Sequence, residues 1–442
     1  MIATFLSNRE EIKISVPDDS IIYESHFPEP EKSDAETVLD SINNPVDSDS
    51  LLNLLKNRKS GKVVIVVSDI TRPIPYFAFL PQMLELIESA GIEKDEILIL
   101  VATGMHRVST YEEYVEMFEK IIADNYNIID HNSECEKDLI ELKNKKSWSG
   151  NSITLNRHFV EAGFKITTGL VEPHFMAGFS GGRKAVCPGL SSFETVKNFH
   201  GFEFLASKKA CNGNLKGNPL HEEALSVAKA AKVDFSVNVI LNKNRNVIKA
   251  FAGDIDSAHL AACDFVTGCA CPTVTEAADV VLTSSGGYPL DASFYQCVKG
   301  MVSCLPAIKT GGTIISFGGC SEGIGSSHYS ETMSKYEGNW KRFLEDIKGG
   351  LFIKDQWQYQ MHCRTLEKIG QENLLFITDG LKQDALNNLS VNGSSVNNVQ
   401  EKVQALVNKF VADGKKIAVF PEGPYCGPVS RTSQYEQLSG VM

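Results

Sequence analysis

The sequence of 442 residues has no run approaching the roughly 18 apolar residues that a membrane-spanning helix needs, so no such segment is expected. Its first residues, MIATFLSNREEIKISV, lack a basic stretch followed by a sustained apolar core, and a secretory leader is not expected either. Basic residues are in deficit: 43 Lys and Arg face 55 Asp and Glu, for a formal net charge of −12. Without a basic stripe the chain is not expected to bind nucleic acid, although a local group of cations could still capture one small anion. Short-period repeats and low-complexity tracts are absent. Cysteine is scattered and odd in number, at 11, which suits free thiols in a reducing cytoplasm rather than a disulfide framework. Cys263, Cys269 and Cys271 lie close together, but C-x5-C-x-C matches no zinc spacing and the segment reads as the end of a helix.

What is present is a strand–turn–helix rhythm. Apolar, β-branched runs in KVVIVVSDITRP (62–73), EILILVATGMHR (96–107) and FKITTGLVEPH (164–174) each end in polar turn residues. Helical patterns such as YEEYVEMFEKII and DIDSAHLAACDFV lie between such runs. The rhythm starts again after GCACPTVTEA, with strands expected at 279–283, 313–317, 374–377 and 416–420. The expectation is an α/β protein of two domains, 1–270 and 271–442, with mostly parallel sheets flanked by helices. The functional site is expected in the cleft between them, and the last segment could pack back on the first domain. NNLSVNGSSVNNVQEK (387–402) reads as a surface loop leading into a helix.

The polar residues just past the strand ends carry the functional argument. Asp69, Arg72, His106, Arg107 and His174 follow three successive strands, on the edge where open α/β sheets bind ligands. Arg72 suits bidentate capture of a carboxylate or phosphate, with Pro73 placed to open a helix. His106, after the tight turn at Thr103-Gly104, can give or take a proton near neutral pH. In VEPHFMAGFSGGRKAV, Gly178, Gly181 and Gly182 allow the backbone to approach a ligand closely, and their N–H groups could form an anion nest. Lys184 follows, but without the hydroxyl residue a Walker A loop requires, so it is either a phosphate contact or a covalent attachment point. Tyr295 and Lys299 share a helix face with Gln296 beside it, and the start of that helix could favour an anion. Each motif alone has a plainer explanation, such as a capping aspartate, a satisfied histidine or a solvated helix face.

Taken in order, SDITRP, ATGMHR, VEPHFMAGFSGGRK, FHG, GGYPLDASFYQCVK and KDQWQYQ resemble the lactate racemase family, the nickel-pincer nucleotide-dependent 2-hydroxyacid racemases and epimerases. The resemblance runs from residue 68 to about 360. It implies a pyridinium-3-thioamide-5-thiocarboxylic acid mononucleotide that holds nickel as a pincer and is covalently attached at Lys184, in a site that includes Ser180, Gly181 and Gly182. It further implies His200 as a nickel ligand and His106 and His174 as the acid/base pair. Arg72, Tyr295, Gln296 and Lys299 would gather the substrate, with Asp69 supporting the site and Trp357 walling it. The carbon of a 2-hydroxyacid is a very poor carbon acid, so loss of a hydride from that carbon as the hydroxyl proton leaves avoids a carbanion. Two histidines would then serve the two enantiomers. The implied partners are a small 2-hydroxyacid and the proteins that make the cofactor. Competing expectations are a non-catalytic nucleotide- or nickel-binding protein, a racemase or epimerase of a larger acid such as malate or a sugar acid, and a zinc hydrolase using His106, His174 and His200. The oligomeric state is open.

Overall fold

The structure, a computed structural model, describes residues 1–430. Two six-stranded sheets organise it. The first contains β1 (Val63–Ser68), β2 (Ile97–Ala102), β3 (Asn127–Asp130), β4 (Phe164–Leu170), β5 (Phe235–Leu241) and β6 (Val247–Gly253). Their order is β6-β5-β4-β1-β2-β3, parallel except where β6 runs against β5. The second contains β7 (Ala278–Ser284), β8 (Ile308–Phe317), β9 (Leu374–Thr378), β10 (Asn392–Ser395) and β11 (Ile417–Phe420). It is wholly parallel, ordered β10-β9-β8-β7-β11, with the short strand Ile21–Ile22 added beyond β11.

Parallel strands covered on both faces read as continuous apolar runs, and VVIVV of β1 is fully buried. Its side chains still alternate: Val63, Ile65 and Val67 pack with Phe79, Leu80 and Met83 of helix α1 (Tyr76–Ser89). Val64 and Val66 face the other way, into an apolar cluster that continues to Val281, Ile314 and Phe376 of the second sheet. One shared core therefore holds the two sheets together.

Both sheets reverse strand order once, between β1 and β4 in the first and between β7 and β11 in the second. Ligand crevices open at the carboxyl ends of such switch points. The segment after β4 leads to helices α2 (Phe193–Phe199) and α3 (Phe202–Ala206), and the segment after β7 leads to α4 (Phe294–Ser303). Helix α5 (Gln356–Ile369) of the second unit lies across α3. Gln360 Nε2 donates to Phe202 O at 2.8 Å, and the Arg364 guanidinium donates to the carbonyls of Ala210 (2.6 Å), Leu205 and Ser207.

Three expectations are revised. Residues 1–22 belong with the second sheet, not with 1–270. The hairpin Ile2–Ser7/Glu10–Ser15 packs Phe5, Ile12 and Ile14 on Val280, Leu282 and Phe317, and Asn8 N–H donates to Asp291 Oδ2, 283 residues away, at 2.7 Å. The 387–402 stretch is not only loop, because β10 forms the sheet edge before the helix Val399–Ala412. Pro73 does not open a helix: α1 starts at Tyr76, and Arg72 N–H closes a turn on Asp69 O at 3.0 Å. Near the end of the described chain, Gly427 N–H donates to Ala270 O at 2.8 Å and Val429–Ser430 pairs in parallel with Thr273–Val274. Residues 431–442 lie outside the described part.

Arg364 supplies charged donors to three carbonyls at the junction of the two units. Arg364→Met is expected to lower stability by about 2–4 kcal/mol, through lost charge-assisted hydrogen bonds and carbonyls left without donors. The shift of the denaturant midpoint relative to the parent chain measures it.

Candidate active site

The turns after β1, β2 and β4 place Asp69, His106 and His174 over one switch point. Asp69 is buried and His106 is half-exposed, and His106 Nδ1–H donates to Asp69 Oδ2 at 2.6 Å. That bond fixes the tautomer and leaves the Nε2 lone pair facing outward. Thr71 Oγ1 donates to Asp69 Oδ1 at 2.5 Å. Burial alone would raise the Asp69 pKa. Hydrogen bonds from His106 and Thr71 and the nearby positive charge of His106 and Arg72 more than offset it and hold the carboxyl below its usual range.

His174 is held in the opposite sense. Its Nδ1 accepts the backbone N–H groups of Met176 (3.2 Å) and Ala177 (3.1 Å), and its Nε2 lies 2.8 Å from Lys184 Nζ. Burial first, then the charges of Lys184, Arg72, Lys299 and Arg183, hold its pKa well below the ordinary histidine value. Lys184 is lowered well below the lysine range by burial and by Arg72, Arg183 and Lys299, with Glu172 opposing. Lys299 falls to about 8, from burial and Arg72. Among the described residues no ion pair joins Arg72, Lys184 or Lys299 to a carboxylate. The crevice is therefore short of negative charge, and an anionic ligand would meet cations without displacing a partner.

The second unit completes the site. Trp357 Nε1–H donates to Tyr295 OH at 2.9 Å, which leaves the phenol proton free to donate elsewhere. Burial keeps that phenol protonated. The Trp357 ring stacks on His200 with centroids 4.6 Å apart, across the two units. His200 caps the end of α2, its Nδ1 is buried without a hydrogen-bond partner, and burial and the Lys184 charge lower its pKa to about 3. It is a neutral imidazole with an unused nitrogen. Gln296 Oε1 is likewise buried and unpartnered.

The glycine-rich loop serves another purpose than the sequence suggests. Gly181 (φ 74°) and Gly182 (φ 50°) are left-handed, and a Cβ on them would lie 2.6 Å from Val171 Cγ2 and 2.6 Å from the His259 ring, so the freed space holds protein. Gly182 N–H donates to Asn238 Oδ1 at 2.8 Å, Ser180 N–H to Glu172 O at 3.0 Å and Ser180 Oγ to Leu170 O at 2.7 Å. These groups shape the loop, and the Ser180 and Gly182 N–H groups are already spent on protein acceptors. The start of α4 is not free for an anion either: Phe294 and Tyr295 N–H groups donate to Gly323 and Ile324 carbonyls.

Two contributors escape a reading of the sequence alone. Arg183 is fully buried, and its guanidinium donates to Ala177 O (2.9 Å) and to His259 Nε2 (2.7 Å), with longer contacts to Ser180 and Gly181 carbonyls. It braces the loop that carries Lys184, although an arginine beside a lysine looks like surface. Glu172 is the carboxylate acting on both lysines, and its place beside His174 in VEPH was the available signal.

Comparison with known proteins gives this arrangement a context. Residues 7–213 match the lactate racemase N-terminal domain and residues 273–425 the lactate racemase C-terminal domain. The chain is 34% identical to lactate racemase of Lactiplantibacillus plantarum over 88% of its own length and 90% of that protein's. It is 31% identical to lactate racemase of Thermoanaerobacterium thermosaccharolyticum over 88% of its own length and 89% of that protein's. The solved lactate racemase apoprotein of the latter organism superposes with a TM-score of 0.87 at 29% identity, covering 98% of this chain and 100% of that one. A Thermotoga maritima protein at 18% identity, with a TM-score of 0.63 over 86% of this chain and 96% of that one, shares the fold. An α/β fold of two units, matched along both by lactate racemases, defines an isomerase. The chain belongs to the lactate racemase family.

Because the Asp69 carboxyl is held below its unfolded value, its contribution to stability is complete above about pH 4 and is lost as pH falls through the folded pKa. Asp69→Asn is therefore expected to weaken the loss of stability on acidification below about pH 4 relative to the parent. Unfolding midpoints across that range, compared between the two proteins, measure the difference.

Proposed function

We propose that the chain interconverts the D and L forms of a small 2-hydroxyacid, with lactate the leading substrate, using His106 and His174 as acid/base residues and a nickel-pincer nucleotide attached at Lys184. The carrying observation is the two histidines in opposite hydrogen-bonding states, one of them against a lysine amine, in a crevice of unpaired cations. A protein that only stored a nucleotide would have no use for a histidine backed by a buried carboxylate.

The donor set fits the cofactor. Among the described residues no three His, Cys, Asp or Glu side chains converge on a metal site, which argues against the zinc hydrolase and leaves the protein to contribute one ligand. His200, neutral and with a buried nitrogen unused, is that ligand, and imidazole suits nickel alongside sulfur donors. Lys184 is the attachment point, and the uncompensated cations suit an anionic nucleotide and an anionic substrate together. When bound, the cofactor supplies an electrophilic ring that can take the substrate's α-hydrogen as hydride.

The chain's own residues then bind and move protons. Arg72 and Lys299 take the carboxylate, Tyr295 donates its free proton, and Gln296 Oε1 can accept from the hydroxyl. His106 Nε2, with its lone pair exposed and Nδ1–H anchored on Asp69, accepts the hydroxyl proton, and the imidazolium formed is stabilised by the carboxylate. His174 presents Nε2–H as a hydrogen-bond donor, and it can give a proton only after it has taken one up. The positive charges around it oppose its protonation, and an anionic substrate relieves that opposition. Trp357, stacked on His200, limits the space beside the metal ligand and favours a short substituent on the substrate carbon. All 11 cysteines are free and no described helix is long and apolar enough to cross a membrane; the proposed location is the cytoplasm, where cofactor-making proteins would be its partners.

Protein co-expressed with the cofactor-making enzymes and nickel is expected to carry a nucleotide adduct on Lys184 by peptide mapping, to hold nickel, and to racemise lactate. Lys184→Ala should lose the adduct with its circular dichroism unchanged. His200→Ala should keep the adduct and lose nickel, and His106→Ala should lower kcat about 10²–10⁴-fold. An unmodified chain under conditions that load a known racemase would overturn the proposal.

A further inference from the structure

The contact between Lys184 and His174 has only one consistent direction. Two backbone N–H groups, from Met176 and Ala177, point at His174 Nδ1, so that nitrogen carries a lone pair and no hydrogen. A neutral imidazole with a bare Nδ1 carries its hydrogen on Nε2. Nε2 lies 2.8 Å from Lys184 Nζ, so the imidazole donates and the lysine must accept. An ammonium has three donors and no lone pair and cannot fill that role. Reversing the bond would put a hydrogen on Nδ1, against two backbone donors already aimed there.

We propose that His174 is a positioning residue for cofactor attachment, holding Lys184 as an uncharged, nucleophilic amine in the unloaded protein until acylation of that amine releases it. This rests on the reading of Lys184 as the attachment point. In the attachment, the amine and a thiocarboxylic acid give a thioamide and water. The N–C bond forms, the C–O bond breaks, and the oxygen leaves as water with one proton from the amine and one from the thioacid. The product nitrogen has its lone pair delocalised into the thiocarbonyl and no longer accepts a hydrogen bond. His174 Nε2–H then loses its partner and turns to the crevice, so loading frees the acid/base residue. The surroundings act in the same direction: Arg72 after β1, Arg183 in the loop and Lys299 on α4 disfavour an ammonium, while Glu172 alone opposes them. His200 is neutral and neither helps nor hinders.

The test uses the full chain without cofactor and the N-hydroxysuccinimide ester of acetic acid as the acylating probe. This reagent gives an acetamide on the lysine and the N-hydroxysuccinimide anion, with the amine's proton passing to solvent. Surface lysines should gain reactivity about tenfold per pH unit between about pH 6 and pH 9, as expected below their ordinary pKa. Lys184, read by peptide mass spectrometry, should stay within about twofold over that range. His174→Gln, which keeps a neutral N–H donor, should leave the profile flat. His174→Asp, which offers only acceptors, should restore the rise and lower Lys184 labelling at pH 7 at least tenfold. Nitrogen-15 NMR of labelled histidine should show His174 as the Nε2–H tautomer. A Lys184 profile parallel to the surface lysines, or an Nδ1–H tautomer for His174, sinks the inference. A flat profile together with a nucleotide adduct on another residue would support the amine's state and overturn only the attachment reading.

Discussion

Positive charge without matching carboxylates, gathered where the first sheet reverses its strand order, is the constraint on which the site depends. Arg72, Arg183, Lys184 and Lys299 all act on His174, while Glu172 favours the charged form of both lysines against the cations that disfavour it. Charges of one sign in a poorly solvated place repel one another, and the molecule relieves this by lowering the proton affinity of the groups that can lose protons. Guanidinium groups resist such loss, so the lysines and histidines yield. The local excess stands in a chain whose net charge is −12, so it belongs to the site and not to the surface at large.

Holding such a cluster requires a loop that cannot relax away from it. Arg183 does this from inside, with its guanidinium spent on carbonyls of the loop and on His259, and with no carboxylate to bond. Gly181 and Gly182 let the loop lie directly against Val171 and His259. The next residue along from that buried arginine is Lys184, whose amine is thereby set against His174. Loop packing, and not the lysine's own preference, fixes the reactive geometry.

Much of this was legible in the sequence because parallel strands buried on both faces announce themselves as apolar runs, and their ends mark the crevice edge. The residues placed there by spacing, Asp69, His106 and His174, do come together over one switch point. What was illegible depends on distant partners. The hairpin at residues 2–15 looks like the start of the first domain until Phe5 and Ile14 are seen against Val280 and Phe317. The glycines pointed to close approach by a ligand, and no local signal shows that Val171 and His259 lie against Gly181 and Gly182. Arg183 and Glu172 were hidden for the same reason, since a charge shows its role only once its neighbours are known.

The two histidines also show why a symmetric reaction does not need a symmetric site. A racemase treats mirror-image substrates, so it is natural to expect two equivalent bases. Here one histidine is polarised by a carboxylate and offers a lone pair, while the other is polarised by backbone donors and offers an N–H. In the proposed reaction one residue accepts the hydroxyl proton of the incoming enantiomer while the other supplies a proton to the outgoing one. A neutral His174 that gave up its Nε2 hydrogen would become an imidazolate, so on the proposed reading it must first take up a proton, which the charge of a bound anionic substrate favours. The asymmetry seen in the hydrogen bonds therefore makes His106 the ready acceptor on the proposed reading, and leaves His174 to gain its proton only once the crevice holds an anion.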